Sequence, residues 1–330
     1  MANMMGRATR LFFAATIALV VSLASSGRVS AQDYPSQSVR IVVPYPPGGS
    51  TDLVARQYAA HLSKAFGQPV IIDNRPGAST NIGAEVVVRA KPDGYSLLFA
   101  GVNQVLNPVF GPNPSFDPTA LEPVSLVARI PFIVAANPKV AFNTPKDLIT
   151  AARMTPGKFT ISSAQLDVYA ALLNRRAEID LLHVPYKGGA AATTDAISGQ
   201  VDMVYALVPV LLPHIQGGRL KAVAVTAAKR SAALPSTMTF VEAGIDYDVS
   251  IWYGLMAPAG LPRATLNRIA QAAQKIVGDA EFAQKLLASG ADAVSNTPEE
   301  FARQVQSEIA FWRKLAVSMP NLVTESAGNK

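Results

Sequence analysis

The sequence predicts an α/β fold in which parallel strands alternate with helices that cover both faces of the sheet. Three observations predict this class. Short apolar runs recur along the chain, each is followed by a turn rich in Pro or Gly, and each turn leads into apolar residues at helical spacing. Such alternation is typical of βαβ units. The 330-residue length and the 49% hydrophobic content suffice for two domains of ordinary size.

The N-terminal segment, residues 1–31, is predicted to be a cleavable signal peptide that lies outside the fold. Arg7 and Arg10 form its basic start, and Leu11–Val21 is apolar but too short to anchor the chain in a bilayer. Small residues precede the predicted cut after Ala31. We therefore expect an exported, soluble protein that is not embedded in a membrane.

The charge and cysteine content exclude several functional classes. The formal net charge is +6, and half of it comes from arginines of the predicted signal peptide. The remainder suits small anionic solutes, but no cluster of Lys and Arg accompanies it, so no nucleic-acid partner is expected. The chain contains no cysteine, which excludes disulfides and thiolate chemistry.

The first α/β unit follows the signal segment. Gly67 is expected to end its first helix, and the turn Pro92–Gly94 its second. The predicted elements are strand Ile41–Val43, a helix with Val54, Tyr58, Leu62 and Phe66 on one face, strand Val70–Ile72, helix Asn81–Ala90 and strand Tyr95–Ala100.

A second unit of the same rhythm follows. Thr144 is a predicted helix cap with Pro145 at the first helical position, and Thr297–Glu300 is another helix start. The tail from Pro262 to Met319 is predicted to be helical throughout. The predicted strands are Val124–Ala136, Lys158–Ser162, Leu181–Val184, Val201–Tyr205, Leu220–Val225 and Ile251–Ala257.

Two of these strands are placed to carry the chain between two lobes. Val124–Ala136 is long enough to leave one sheet and enter another, and Ile251–Ala257 permits a return. We therefore predict one domain from residues 32–128 plus 251–330 and a second from residues 129–250. Two lobes joined in this way enclose a cleft that closes by hinge motion.

The loop Pro46–Asp52, with the sequence PPGGSTD, is the sharpest local signal for a ligand site. It leads into a helix start, where backbone N–H groups and the positive end of the helix dipole attract a carboxylate. Gly48 and Gly49 let a ligand approach the backbone closely. A second interpretation stays open, in which Ser50 or Thr51 merely caps the helix. Asp52 is expected to be structural unless the ligand carries an ammonium group.

Further candidates lie where other predicted strands end, because loops at the carboxyl ends of parallel strands line the binding crevice of such sheets. In the first unit these are the loop Ser79–Asn81 and Asn103. In the second unit Ser162 and Ser163 are either ligand contacts or helix caps. Lys187 is either a counter-charge for the ligand or a solvated side chain.

The motifs of common enzymes are missing. His61 is expected on a helix surface, His183 as a satisfied buried histidine and His214 within a helical stretch. No pair of histidines has metal-ligand spacing, and no nucleophile elbow, dinucleotide fingerprint or Walker loop occurs. We predict no catalytic residue, no metal site and no cofactor.

Six ordered segments together resemble one known family. They are YPSQSVRIVVPYPPGGSTDLVAR, FGQPVIIDNRPGASTNIGAE, KPDGYSLLFAG, HVPYKGGAAATTDAISGQVDM, LPHIQGGRLKAVAVTAAKRSAALP and WYGLMAPAGLP. They closely resemble the Bug family, the solute-binding receptors of tripartite tricarboxylate transporters. The resemblance runs from about Tyr34 to the C-terminal helices.

The resemblance implies a type II periplasmic-binding-protein fold, with two doubly wound domains, a hinge and a ligand cleft. It also implies a monomeric periplasmic receptor that binds a small carboxylate, serves an inner-membrane permease of one large and one small subunit, and does not catalyse. The residues expected to bind substrate are Tyr45, Pro47, Gly48, Gly49, Ser50, Thr51, Asp52, Ala78, Ser79, Thr80, Asn103, Ser162, Ser163, Tyr186, Lys187, Gly188 and Ala206.

Three departures from the family pattern concern this expected site. The loop Ile161–Asp167 is about four residues shorter than usual and lacks the family's histidine. Ala206-Leu207 stand where an Asp-Asn pair is common, and Gly77–Thr80 replaces a commoner Gly-Ala-Gly-Gly. The ligand is therefore less polar than a typical dicarboxylate, or the affinity has decayed. Asp167 partly replaces a lost polar group, but it would repel a second carboxylate.

Three functions are consistent with this sequence. The leading one is an exported carboxylate receptor for a tripartite transporter. The alternative is a solute-sensing co-receptor for a two-component sensor, which has no transport role. An exported enzyme using the same cleft is a third, and the missing pairing of nucleophile and base counts against it.

Overall fold

The computed structural model describes residues 34–110, 116–164, 167–186 and 188–318. The chain separates into two units, residues 1–36 and residues 37–330, and every helix and strand below belongs to the second. The predicted signal peptide, Gln165-Leu166, Lys187 and Met319 lie outside the described residues. Within the described part of the chain, no helix combines the length and the hydrophobicity that a membrane span needs.

The nine predicted strands appear in the predicted order, whereas the two-residue strand at Asp292 and the helix that begins at Asn103 were not predicted. The strands are β1 (Val39–Val43), β2 (Val70–Asn74), β3 (Ser96–Gly101), β4 (Leu121–Ala136), β5 (Thr160–Ala164), β6 (Leu182–Tyr186), β7 (Met203–Leu207), β8 (Lys221–Val225), β9 (Ser250–Pro258) and β10 (Asp292–Ala293). The helices are α1 (Ser50–Phe66), α2 (Asn81–Val88), α3 (Asn103–Phe110), α4 (Pro145–Met154), α5 (Asp167–Ala177), α6 (Gly189–Ser198), α7 (Val208–Gln216), α8 (Arg263–Val277), α9 (Ala280–Ala288) and α10 (Pro298–Ser318).

The strands form a sheet in the order β2-β1-β3-β9-β4-β7-β5-β6, and β8 and β10 also pair with β4. β1 is parallel to β2 and β3, and β5 is parallel to β6 and β7. The ends of β1, β2 and β3 therefore share one edge, and the ends of β5, β6 and β7 share another. The two longest strands run antiparallel to their neighbours, because they connect these two parallel groups.

β4 changes partners along its length. Its residues Leu121–Pro131 pair with β9, whereas Phe132–Ala136 pair with β7. The change falls after Pro131, which has no N–H to donate to a ladder. The next N–H, that of Phe132, bonds to the Thr226 hydroxyl at 3.0 Å. This strand is the segment that the sequence predicted to cross between lobes, and the division into lobes itself stays a prediction.

The C-terminal tail is not helical throughout, so that prediction is wrong. Gly290, with φ +74°, follows α9, and Asp292 and Ala293 then form β10 against β4. α10 packs on the sheet because Gly254 in β9 has no side chain, and a Cβ there would lie 2.7 Å from the Phe301 ring. Phe301 is fully buried, with its ring edge-on to Trp252 at 5.1 Å.

An aromatic cluster joins α10 to the centre of the sheet. Phe132 stacks on Tyr205 at 5.0 Å and lies 4.9 Å from Tyr169 of α5. Tyr169 in turn meets Trp312 of α10 edge-on at 5.4 Å. Since all four side chains are at most 5% exposed, they tie β4, β7, α5 and α10 into one core.

Candidate functional site

The first turn of α1 has free backbone donors. α1 follows β1 through the loop 44–49 and is capped by Gly49, whose φ of −76° is extended and which makes no side-chain cap hydrogen bond. The interpretation of Ser50 or Thr51 as the N-cap is therefore wrong. Because no side chain accepts from the first N–H groups at this cap, they are available to an anion in front of the helix.

Asp52 braces the glycine loop from inside. Its side chain is only 2% exposed, and its carboxylate accepts hydrogen bonds from the Gly48 N–H (2.9 Å), Arg56 Nε (2.8 Å) and Asn74 Nδ2 (2.9 Å). The hydrogen bond from Arg56 is the main reason that the pKa of Asp52 falls to about 2, and those from Gly48 and Asn74 add to it. With its oxygens engaged in this way, Asp52 has the structural role that the sequence predicted.

Tyrosine hydroxyls lie behind the start of α1. The Thr51 hydroxyl donates to the Tyr253 hydroxyl of β9 at 2.9 Å, and both side chains are buried. Burial, with a smaller contribution from Tyr253, raises the pKa of Tyr45 well above its usual range. A Cβ at Gly101 would lie 2.9 Å from the Tyr45 hydroxyl, so this glycine leaves room for it. Thr51 therefore holds the helix start in place.

The loop after β2 is held in a left-handed conformation. Gly77 has φ +126°, and Ala78, Ser79 and Thr80 follow with φ of +46°, +51° and +80°. Three non-glycine residues in a row with positive φ are unusual, and the conformation is strained for a β-branched Thr. Such strain is often found at ligand sites, where the surrounding structure holds it.

Buried amides support this strained loop. Asn107 Nδ2 donates to the Ser79 carbonyl at 2.6 Å and to Asn81 Oδ1 at 2.9 Å. Gln104 Nε2 donates to the Thr80 hydroxyl at 3.2 Å. Both amides lie on α3, which begins at the candidate Asn103. The structure thus brings the loops after β1, β2 and β3 to one edge and connects the last two by hydrogen bonds.

The predicted serines of the second unit are buried. The Ser162 hydroxyl lies 3.1 Å from the carbonyl oxygens of both Ala192 and Met203. The Ser163 hydroxyl lies 2.7 Å from His183 Nε2. Both side chains are 0% exposed, and neither caps a helix. His183 is half-buried rather than buried as predicted, but the Ser163 hydroxyl itself does not reach solvent, so this pair offers no accessible nucleophile.

The start of α6 resembles the start of α1. Its cap is Gly188, in extended conformation and without a side-chain hydrogen bond, and a Cβ at Gly188 or Gly189 would meet nothing within 4 Å. Tyr186, just before it, donates its hydroxyl to Asp195 of the same helix. Ala206, in the neighbouring β7, is 8% exposed. The structure therefore places open backbone donors at the second edge as well.

Several residues of these loops could not be recognised from the sequence. Tyr253, Asn74, Gln104 and Asn107 carry no local motif, and each meets its partner only through the fold. Their position was an indirect signal, because Gln104 and Asn107 lie one and four residues after the predicted Asn103.

Cations near the α1 loop are already paired. Arg56 bonds Asp52, and Arg75 Nε bonds Asp73 Oδ1 at 2.9 Å. An anion at this edge would therefore be bound by backbone N–H groups and hydroxyls more than by free charges.

Histidine and acid side chains come together elsewhere. In the described residues, His61, Asp279 and Glu281 form a group that could hold a metal ion. Asp279 Oδ1 is engaged by the Phe282 N–H at 3.0 Å, and Glu281 pairs with Lys285 at 2.6 Å. The expectation of a surface position for His61 is wrong, because its side chain is only 12% exposed.

The fold is of the type found in periplasmic binding proteins. The TctC sequence profile, described as the tripartite tricarboxylate transporter family receptor, matches residues 54–319. The chain therefore belongs to the family of tripartite tricarboxylate transporter receptors, which includes proteins named Bug. Its members are solute-binding receptors rather than enzymes, and so is this chain.

A curated relative and three solved structures illustrate the likeness. Protein BugT of Bordetella pertussis is 31% identical over 313 residues, which cover 92% of this chain and 95% of BugT. The structure of Rpa4515 from R. palustris with adipate is 30% identical with a TM-score of 0.70, covering 88% of this chain and 99% of that one. Periplasmic binding protein BugD is 31% identical with a TM-score of 0.66, covering 86% and 98%. MatC from Rhodopseudomonas palustris with malate is 27% identical with a TM-score of 0.65, covering 88% and 100%.

Proposed function

We propose that this protein captures a small carboxylate in a cleft between two α/β lobes, residues 32–128 plus 251–330 and residues 129–250. It then delivers the carboxylate to the membrane subunits of a tripartite transporter from the periplasm. The proposed contacts are the candidates at the two strand edges. Relatives with adipate and malate support the ligand class, since both molecules are small dicarboxylates.

The pattern of helix caps is the observation that carries this proposal. Three helices that begin at the two strand edges, α1, α6 and α7, have no side-chain hydrogen bond at their caps. α2 also lacks one, but its first N–H groups, those of Asn81 and Ile82, donate to the carbonyl oxygens of Ala78 and Gly77. By contrast, α4, α9 and α10 are capped by Thr144, Asp279 and Thr297. α8, after Pro262, also lacks a side-chain cap. Uncapped N–H groups directed at two facing edges would bind the two ends of an anionic solute.

A thermal-shift screen of the purified protein tests the ligand class. The panel contains monocarboxylates, dicarboxylates, tricarboxylates, acidic amino acids and aromatic acids. A ligand at ~100 times its dissociation constant should stabilise the protein by ~2.7 kcal/mol, a readily measured rise in melting temperature. Because Ala206-Leu207 stand where an Asp-Asn pair is common in the family, we expect the best ligand to have one apolar end. A flat panel would contradict the proposal.

A substitution at the α1 cap tests the site. Gly49→Val should weaken binding of the best carboxylate at least tenfold in calorimetry, because the side chain would stand before the first N–H groups. The fold should tolerate it, since φ is negative and a Cβ at Gly49 meets only the Pro46 carbonyl, at 3.7 Å. The matched control is Gly278→Val at the end of α8, where φ is also negative and the nearest contact is 3.5 Å. Equal affinity of both variants would reject this site.

Transport is tested apart from binding. Uptake of the labelled carboxylate should fall in cells that lack this protein and recover when it is restored. Normal uptake in those cells, together with intact binding, would favour the sensing co-receptor.

A further inference from the structure

A pocket lies beside the centre of the sheet, and Val102 in its wall directly precedes the candidate Asn103. It has a volume of about 480 Å³ and lies among β4, the segment before β9, α5 and α10. None of the candidate carboxylate contacts lines it. A pocket of this size can hold a small organic molecule.

Two buried donors in the wall of this pocket lack acceptors. Tyr169 is 3% exposed, and its hydroxyl has no hydrogen-bond partner among the described residues. The Nε–H of Arg129 is also buried and unpaired within the same part of the chain. Buried donors are normally satisfied, because leaving them unpaired is costly. Together they offer a place for a ligand carboxylate.

Acids outnumber bases in the lining. Asp246 is occupied by Arg176 at 2.8 Å, whereas Asp248 forms a longer ion pair with Arg129, at 4.0 Å, and is 39% exposed. Glu308 adds a third carboxylate. Asp248 therefore retains the capacity to accept hydrogen bonds from a ligand ammonium group.

Part of the remaining wall is apolar and aromatic. Leu172, Phe311 and Trp312 form this part, and Trp312 is 5% exposed, while Ser250, Gln304 and Ser307 add polar groups elsewhere in the lining. Such a wall buries a flat apolar group and attracts a neighbouring cation.

We propose that this pocket binds a free amino acid with a large apolar side chain, at a site separate from the carboxylate cleft. Its carboxylate meets Tyr169 and Arg129, its ammonium group meets Asp248, and its side chain packs against Phe311 and Trp312. The bound amino acid therefore contacts both α10 and the strand β4.

The tryptophans of the chain provide a local readout. The sequence contains two, Trp312 in the pocket wall and Trp252, whose Nε1 donates to Glu308 at 3.0 Å. Titration with L-phenylalanine should change the tryptophan fluorescence saturably. 2-Phenylethylamine lacks the carboxylate and 3-phenylpropionate lacks the ammonium group, so each should bind at least tenfold more weakly. Equal binding of either one would overturn the assignment of the groups, and no saturable change with L-phenylalanine would overturn the site.

Tyr169→Phe is the decisive variant, and Tyr58→Phe is its matched control. Both hydroxyls are buried and unpaired in the described residues, but Tyr58 packs against Phe99 and Phe282, away from this pocket. Tyr169→Phe should lower the affinity for L-phenylalanine about tenfold, because it removes a hydrogen bond to a charged group, while Tyr58→Phe should not change it. Equal affinity of the two variants would reject the proposal.

Competition separates this site from the carboxylate cleft. A saturating carboxylate from the panel should not displace L-phenylalanine, and Tyr169→Phe should bind that carboxylate normally. Displacement would place the amino acid in the cleft and overturn the proposal. If no carboxylate binds but L-phenylalanine binding depends on Tyr169, the proposed transport function fails and the second site stands.

Discussion

Asp52 shows how a carboxylate can belong to an anion site without repelling the anion. Its charge is neutralised by Arg56, and its oxygens accept from Gly48 and Asn74. The carboxylate thus holds the glycine loop in shape, and its two oxygens are already engaged by these donors.

The low pKa of Asp52 predicts a change of stability in acid. The pKa is about 2 in the folded protein against an ordinary value of 3.8. The stabilisation is therefore complete above pH 3.8 and is lost as the pH falls towards about 2. Because Arg56 is half exposed, we expect Asp52→Asn to cost about 1–2 kcal/mol near neutral pH. Chemical denaturation across this pH range should show that cost shrinking in acid. A difference from wild type that stays constant across this pH range for Asp52→Asn would contradict the assignment.

The strained loop predicts a stabilising substitution. Ser79→Gly should raise the free energy of unfolding by ~0.5 kcal/mol, because relief of left-handed strain exceeds the extra entropy of the unfolded chain. Ser236→Gly, at an exposed turn without positive φ, should lower it. Urea denaturation measures both, and a loss of stability in Ser79→Gly would mean that the strain is absent.

For single residues, the sequence predicted a structural role better than it predicted the hydrogen-bond partner of a side chain. The structural role of Asp52 followed from its place in the first turn of a helix. The partner of Thr51 could not be predicted, because Tyr253 lies 202 residues further along the chain. Likewise, nothing in the triplet Ala78–Thr80 indicates positive φ, since all three residues normally avoid it.

Helix caps differ between the proposed site and α4. α1 and α6, which begin at the two strand edges of the proposed site, have glycine caps without a side-chain hydrogen bond, whereas α4, which begins elsewhere, has a complete capping box. There the Thr144 hydroxyl accepts from the Asp147 N–H, and the Asp147 carboxylate accepts from the Thr144 N–H. The capping box stabilises the fold, and the glycine caps would leave backbone N–H groups for the proposed ligand.

The capping box of α4 gives a prediction at this scale. Thr144→Ala should lower the free energy of unfolding by ~1 kcal/mol, because it leaves the Asp147 N–H without its partner. Thr150→Ala, at an exposed position on the same helix, should be close to neutral. Thermal or urea unfolding measures both variants, and carboxylate affinity should be unchanged in each. Equal stability of the two would show that the box contributes nothing.

Element boundaries were predictable where the signal is local. Gly67, with φ +65°, ends α1 as expected, and Thr144 and Pro145 start α4 as expected. β10 could not be predicted, because two residues without a β-pattern become a strand only by pairing with β4. The sequence also missed the antiparallel centre of the sheet, since strand direction is decided by connections that a local pattern does not contain.

The whole molecule has a topology suited to hinge motion, if the proposed lobes move as units. Saturating carboxylate should then decrease the radius of gyration in small-angle X-ray scattering, because the lobes close on the ligand. Gly49→Val at the same ligand concentration should give the curve of the unliganded protein. Identical curves for wild type with and without a bound ligand would contradict closure.

The long strand β4 also constrains the order in which the protein can fold. β3 pairs with β9, and the first part of β4 pairs with β9 and β10, so β3 lacks its second neighbour until residues 250–293 are available. Long-range strand pairing of this kind is slow, because the entropy of closing a large loop is lost before the strand contacts form and offset that loss. An N-terminal fragment ending before β9 would leave β3 with an open edge, prone to pair with other chains. The complete sheet therefore forms only after the residues up to β10 are available. Such late folding would suit a polypeptide that is exported unfolded, as the predicted signal peptide implies.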